Sequence, residues 1–354
     1  MIGFPQVNQL IMYDVSGSMP VYYRRMPGNI PDTRTLRTTL KELDLAGFKG
    51  AQLVLDRGYL SAESMELLVK RRISFIMMAK TNSKDIRTTI LSLDADRLCL
   101  PENWIPEHGV YGIESSYPFS VTVKGQKRKV SPLRSCIFFD PEEQGAYRKE
   151  LAQHIHEMSG SLDAIIEEQT ALDDRTVKRL GEFLSLTLDE KQHTLLSYTT
   201  KEQAMHSYWA LSGFFVIICS RVKHQEYPLS YVLDRYRMRD EQEKCFMFIK
   251  SEQNGRRLRT STEPSTDGRM LIQFIALTLN AVIHRVYKSN TKLTKRFPTR
   301  AHMIEEMRSI RRIEHPKRAK IITEFGGAQV DIFDAFDFAI PSGCRPSSRP
   351  KRKN

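Results

Sequence analysis

Apolar residues fall in short alternating or continuous runs near the start of the chain. VNQLIMYDV (7–15) and VYYRRM (21–26) flank SGSMP (16–20), a pattern that predicts two strands joined in a hairpin. PGN at 27–29 ends the pair, and Asp32 or Thr33 can cap a helix over 34–46. GAQLVLD (50–56) then reads as a short buried strand ending at an aspartate, and RGY turns the chain. Ser61 can cap an amphipathic helix over 62–72, and ISFIMMAK (73–80) is a second buried strand. Residues 7–80 therefore predict an antiparallel pair followed by α/β alternation.

The texture changes between about 82 and 211. YPFSVTVKGQKRKV (117–130) and SCIFFD (135–140) predict strands of an antiparallel piece. A charged helical stretch follows over 142–185, with Gly160 as its expected interruption. The α/β pattern resumes at GFFVIICSR (213–221), so the block reads as an insertion. A helix is predicted over 228–252, and RMLIQFIALTLNAVIHRVYK (269–288) reads as an apolar helix packed in a core. The expected divisions are a first core part (1–81), the insertion (82–211), a second core part (212–290), a C-terminal helical region (291–344) and a basic, disordered tail (345–354).

The helix over 228–252 carries Tyr236, Arg239, Glu243 and Lys250 within YRMRDEQEKCFMFIK. At about 100° per residue they fall at roughly 0°, −60°, −20° and −40°, one narrow stripe. A carboxylate, a tyrosine and two cations together suit a metal ion held beside a phosphodiester. Met238, Cys245, Phe248 and Ile249 form the opposite, core-facing side. The simpler reading of the stripe is a solvated face with an Arg239–Glu243 pair at i,i+4.

Charge strengthens the first reading. The 354-residue chain carries 54 Lys and Arg against 42 Asp and Glu, a net +12 that suits a polyanionic partner such as nucleic acid. The clusters at 124–129 and 254–259 and the basic tail are candidate phosphate contacts. Five scattered cysteines without a C-x-x-C pair argue against a disulfide framework or a zinc site and fit a reducing cytoplasm. The short apolar runs and the absence of a signal-type N-terminus favour a cytoplasmic chain with no membrane partner.

Asp56 stands at the carboxyl end of a buried strand, where ligands gather in α/β sheets. It reads either as a metal ligand or as a capping aspartate. Two carboxylates, Asp56 and Glu243, are hard oxygen donors of the kind Mg²⁺ takes. A competing motif, Asp14-x-Ser16-x-Ser18, matches the metal site of von Willebrand A domains. That fold needs a helix directly afterwards, whereas Pro20 leads into a strand-like run. Neither an H-E-x-x-H spacing, a Gly-rich phosphate loop nor a G-x-S-x-G elbow occurs, and His154 and His156, two apart, predict surface positions.

The spacing Tyr236-x2-Arg239-x3-Glu243-x6-Lys250 resembles the signature of DDE transposases of the insertion-sequence-four superfamily. LVLDRGYLSAESMELL resembles the segment around that family's second catalytic aspartate, and MPVYYRRMPGNIPDTRTL its hairpin and G-N-x-x-D turn. The resemblance implies an α/β fold, an RNase H-like catalytic core with a mixed, mostly β and helical insertion. It implies cutting and joining of DNA at insertion-sequence ends, with Mg²⁺ (or Mn²⁺) held by Asp56 and Glu243. Tyr236, Arg239 and Lys250 would hold transposon-end DNA, in a synaptic homodimer, and Asp32 would lie near the site without binding metal. PQVNQLIMYD matches the family's second core strand. The resemblance thus implies an N-terminally truncated transposase lacking the first strand and its aspartate. A catalytically dead DNA-binding remnant is the alternative.

Overall fold

A computed structural model describes residues 7–341 except 29, 31, 46, 48–49, 82, 124–125, 130–131, 190–192, 221–226, 252–257 and 316–317. The basic tail, most of the 254–259 cluster, residues 124–125 of the other basic cluster and the side chains of Asp32, Thr33 and Cys245 lie outside the described residues.

The chain begins with β1 (Val7–Asp14) and β2 (Met19–Pro27), then α1 (Asp32–Leu45), β3 (Leu53–Leu55), α2 (Ala62–Lys70) and β4 (Phe75–Ala79). Two short helices, α3 (Lys84–Leu91) and α4 (Ala95–Leu98), precede β5 (Trp104–Ile105), β6 (Val110–Tyr117), β7 (Ser120–Val123), β8 (Gln126–Lys129) and β9 (Leu133–Phe139). The long α5 (Pro141–Glu167) and α6 (Asp174–Leu180) lead to β10 (Leu184–Leu188), β11 (Leu195–Thr200), α7 (Glu202–Trp209) and β12 (Phe214–Cys219). After α8 (Leu229–Arg237) come α9 (Arg239–Ser251), α10 (Glu263–Ser289), α11 (Thr291–Arg296) and α12 (Arg300–Glu306). The chain closes with β13 (Arg312–His315), β14 (Arg318–Ile322) and α13 (Gly327–Ala335).

These elements form a mixed α/β protein of two units. Ile30–Met238 is one, the sheet unit; Met1–Asn29 with Arg239–Asn354 is the other, the helical unit.

In the sheet unit six strands are ordered β3-β4-β12-β9-β6-β5. Only β3 and β4 run parallel, with Leu53 opposite Phe75 and Leu55 opposite Met77. The α2 crossover between them is capped by the Ser61 hydroxyl, which accepts from the Ser64 amide. β12 pairs antiparallel with both β4 and β9. Strands of the 82–211 block therefore extend the same sheet, while β7–β8 and β10–β11 form two-stranded ribbons of their own. Phe75, Ile76, Met77, Ile137, Phe138, Ile217 and Ile218 are each 1% exposed or less, as expected of strands covered on both faces. Each such side chain contributes about 1.5–3 kcal/mol on burial. Gly213, at φ +78°, opens β12 where a Cβ would meet the Asp140 carbonyl oxygen at 2.5 Å, so only glycine fits.

Gly160 does not interrupt the charged stretch; α5 runs through it and ends at Glu167. Leu151 and Leu162 are buried on either side of it. A single glycine costs a helix only about 1 kcal/mol, an amount such burial offsets. Leu162 joins Leu172, Leu180, Leu184 and Leu195 in a separate small core.

In the helical unit β1 and β2 pair from Val7 opposite Pro27 to Asp14 opposite Met19. An isolated hairpin is marginal in water and needs a helix against it. Here Ile11 packs with Ile249 of α9 and Leu277 of α10, and Tyr23 stacks on Phe274 with ring centroids 4.7 Å apart. Arg25 adds an ion pair to Asp267 at 2.8 Å. The helix read as packed in a core turns only one face inward: Met270, Gln273 and Leu277 are buried, whereas Leu271, Ile272, Ile275 and Leu279 are exposed. α10 is long and apolar enough to cross a membrane by length and composition alone. The C-terminal region, expected to be helical, also contains the β13–β14 hairpin.

Candidate active site

Asp56 directly follows β3, and its carboxylate accepts from the Arg57 amide at 2.7 Å, capping a single 3₁₀ turn over Arg57–Tyr59. The aspartate thus does the capping work that the simpler reading assigned to it, and it is also exposed at the carboxyl end of a strand in the parallel pair. Continuing the β3–β4 register by one residue puts Asp56 level with Met78.

Tyr236 comes to the same level of the sheet. It lies on α8, is 6% exposed, and packs among Ile76, Phe138, Ile217 and Leu233. Its hydroxyl is 3.3 Å from the Met78 sulfur. Tyr231, one turn earlier on α8, donates to the Gln52 side-chain oxygen at 3.3 Å, beside the start of β3. The end of α8 is pinned by His108, whose Nε2 meets the Asp234 carboxylate at 2.9 Å and whose Nδ1 is 3.0 Å from the Arg237 guanidinium. No sequence pattern points to this clamp, because Arg237 and His108 are 129 positions apart.

The predicted single helix over 228–252 is divided. α8 ends at Arg237, Met238 keeps a right-handed backbone (φ −58°, ψ −13°), and α9 starts at Arg239. The break coincides with the boundary between the two units. Tyr236 consequently belongs to the sheet unit, and Arg239, Glu243 and Lys250 belong to the helical unit. Met238, expected to face a core, is 40% exposed.

On α9, Arg239 donates to Glu243 at 2.7 Å, the i,i+4 pair that the spacing allowed. The Glu243 side chain is 59% exposed and that of Arg239 27%. Lys250 is exposed, and among the described residues no ion pair holds it. Beneath them Ile249 is buried with Ile11 and Leu277, and Phe246 and Phe248, like Tyr13 and Tyr23, pack against that cluster. The apolar side of α9 seats the helix on the hairpin, and its charged side faces water.

The competing motif is a hairpin turn. The Asp14 carboxylate accepts from the amides of Ser16 (3.0 Å) and Gly17 (3.1 Å), and β2 follows at Met19. An Asx turn leading into a strand leaves no place for the helix a von Willebrand A site requires. His154 and His156 are exposed, as their spacing predicts. Among the described residues no three His, Cys, Asp or Glu side chains cluster as metal ligands. Asp56 and Glu243, the two carboxylates singled out in the sequence, have the right donor chemistry for a hard divalent cation. They lie in different units.

Comparison with known families places this chain. The family model described as "Transposase DDE domain" matches residues 3–279, which include Asp56, Tyr236, Arg239, Glu243 and Lys250. The chain belongs to that family. No curated protein sequence matches it.

Proposed function

We propose that this protein is an insertion-sequence transposase that binds transposon-end DNA and cuts and joins it with Mg²⁺, or Mn²⁺ in its place, held by Asp56 and Glu243. The observation that carries the reading is the family match over residues 3–279, within which Asp56 ends a strand and Glu243 stands exposed on α9. When bound, divalent ions of this kind activate an attacking hydroxyl and stabilise the leaving oxygen. Asp56 and Glu243 supply hard oxygen donors, and Arg239 and Lys250 supply cations for phosphates. Arg239 neutralises Glu243 in the free protein and turns to a phosphate when DNA is present. Tyr236 offers DNA only its hydroxyl, since its ring is committed to the core. An RNase H-like core is part of the same proposal, supported by the parallel β3–β4 pair with Asp56 at its end.

The deciding measurement is cleavage of DNA carrying the element's terminal repeats, with and without Mg²⁺. Glu243→Gln and Asp56→Asn should each abolish cleavage while leaving DNA binding in place. An unchanged rate in either variant sinks that residue's assignment. The Arg239–Glu243 pair favours a second reading, DNA binding without cleavage. That reading predicts binding that weakens steeply with salt and no cut product with either metal.

A further inference from the structure

A cleft in the sheet unit lies between the α3–α4 segment, the start of α5 and the end of α7, over the adjoining ends of β9 and β12. Its volume is about 360 Å³, a size that suits a small-molecule pocket. Asp56 and Tyr236 are not among the residues that line it, so it is separate from the candidate active site. The floor is apolar and partly aromatic. Ile90, Leu98 and Phe139 are buried there, and the Phe139 and Phe214 rings meet with centroids 4.8 Å apart.

The rim carries hydrogen-bond donors. Gln144 and Arg148, at i and i+4, share one side of α5, and both line the cleft. The Arg148 guanidinium is 5.7 Å from the centroid of the Trp209 ring on α7, and no carboxylate pairs with it among the described residues. The His206 and Trp209 rings meet edge to face at 5.6 Å. The Trp209 indole N–H is buried and has no acceptor among the described residues. A buried donor left without an acceptor is unfavourable. None of the lining residues is an aspartate or a glutamate. Asp96 acts only at the Cys99 edge of the cleft, where burial first and the Asp96 charge second hold the Cys99 thiol above its ordinary value. An anion entering the cleft is therefore drawn to Arg148.

We infer that this cleft binds a small aromatic anion, with two fused rings over the Phe139–Phe214 floor and the charged group beside Arg148 and the Trp209 N–H. Flat rings fit a floor of phenylalanine and branched aliphatic side chains. The anionic group supplies both a counter-ion for Arg148 and the acceptor that the indole lacks. A neutral apolar ligand leaves both without a partner, and a cation meets Arg148 with like charge. Binding needs neither DNA nor metal, so it holds or fails apart from the transposase reading.

Naphthoate is the probe, with uncharged naphthylmethanol as its control. The chain has two tryptophans, so Trp104→Phe leaves Trp209 as the indole reporter. Naphthoate should quench Trp209 fluorescence saturably and slow the alkylation of Cys99 by iodoacetamide, followed by peptide mass spectrometry. Arg148→Gln should weaken naphthoate about tenfold or more, while naphthylmethanol binding stays as it was. Ala210→Phe, which fills the cleft from an exposed lining position, should abolish binding of both. Arg148 and Ala210 are exposed, so each variant should keep the circular dichroism spectrum of the parent. Absence of saturable quenching overturns the proposal, as does binding that ignores Ala210→Phe. Equal effects of Arg148→Gln on the acid and the alcohol overturn the choice of an anion. A single-stranded oligonucleotide that displaces naphthoate and itself shields Cys99 assigns the cleft to nucleic acid, and that result too overturns the proposal.

Discussion

The two units bury their hydrophobic residues in different ways. Among the described residues, the fully buried large side chains of the sheet unit include Phe75, Phe138, Ile137, Ile217 and Ile218, whereas those of the helical unit include Met270, Leu277 and Leu293. In the sheet unit, β4, β9 and β12 are covered on both faces and hold one another by backbone pairing. The helical unit has a two-stranded hairpin, which relies on α9 and α10 for cover. Asp56 is joined to that sheet through β3, an edge strand of three half-buried residues paired with β4, whereas Glu243 rides on a helix whose seat is a few side chains deep. The difference teaches that the carboxylate on α9 is the one whose position is more easily disturbed.

Removing a core side chain from each unit tests this directly. Phe138→Ala should cost about 3–5 kcal/mol and lower the unfolding transition of the sheet unit. Leu277→Ala should cost about 2–5 kcal/mol and release the amides of β1, β2 and α9 in hydrogen exchange. If Leu277→Ala instead exposes β4 and β12 first, the two units do not differ as described. Asp56→Ala removes a cap worth about 1 kcal/mol, read as faster exchange at the Arg57–Tyr59 turn with the rest of the sheet unaltered.

Arg239→Ala should change stability by only about 0.3–0.5 kcal/mol, as an exposed i,i+4 pair does. Its larger effect should appear on DNA, where the slope of log affinity against log salt falls by about one. An unchanged slope would show that Arg239 meets no phosphate. The smallest effect concerns pH. The Cys136 thiol accepts or donates a hydrogen bond to Cys219 at 3.9 Å and is fully buried. The hydrogen bond first, then burial, push it far above the ordinary thiol value of 9.0. It stays neutral when folded and ionises when unfolded, so its contribution is complete below pH 9.0 and declines as pH rises above that value. Cys136→Ala should flatten that decline in the sheet unit alone.

Several of these features were legible in the chain itself. The alternation in 7–26 marked the hairpin, and the apolar runs at 50–56 and 73–80 marked two sheet strands with a capped helix between them, although β3, at the sheet edge, is half-buried rather than buried as its run suggested. The spacing from Tyr236 to Lys250 and the DRGY segment pointed to a transposase, and the match to residues 3–279 agrees with that family. Gly160 misled because propensity is a weak term beside the burial of Leu151 and Leu162. Periodicity treated 228–252 as one helix because nothing local distinguishes Met238 from its neighbours.

Side-chain type and spacing by themselves determined most of the elements and pointed to the family, since these depend on residues a few positions apart. Tertiary structure alone decided that Tyr236 is a core residue and that its helix parts company with Arg239 at a unit boundary. It also decided that β9 and β6 join the sheet of β3 and β4, and that α10 keeps one apolar face in water. The physical reason is common to all of these. Which face of an element is covered depends on partners far away in the chain, and a local pattern records that a face is apolar without recording what will cover it.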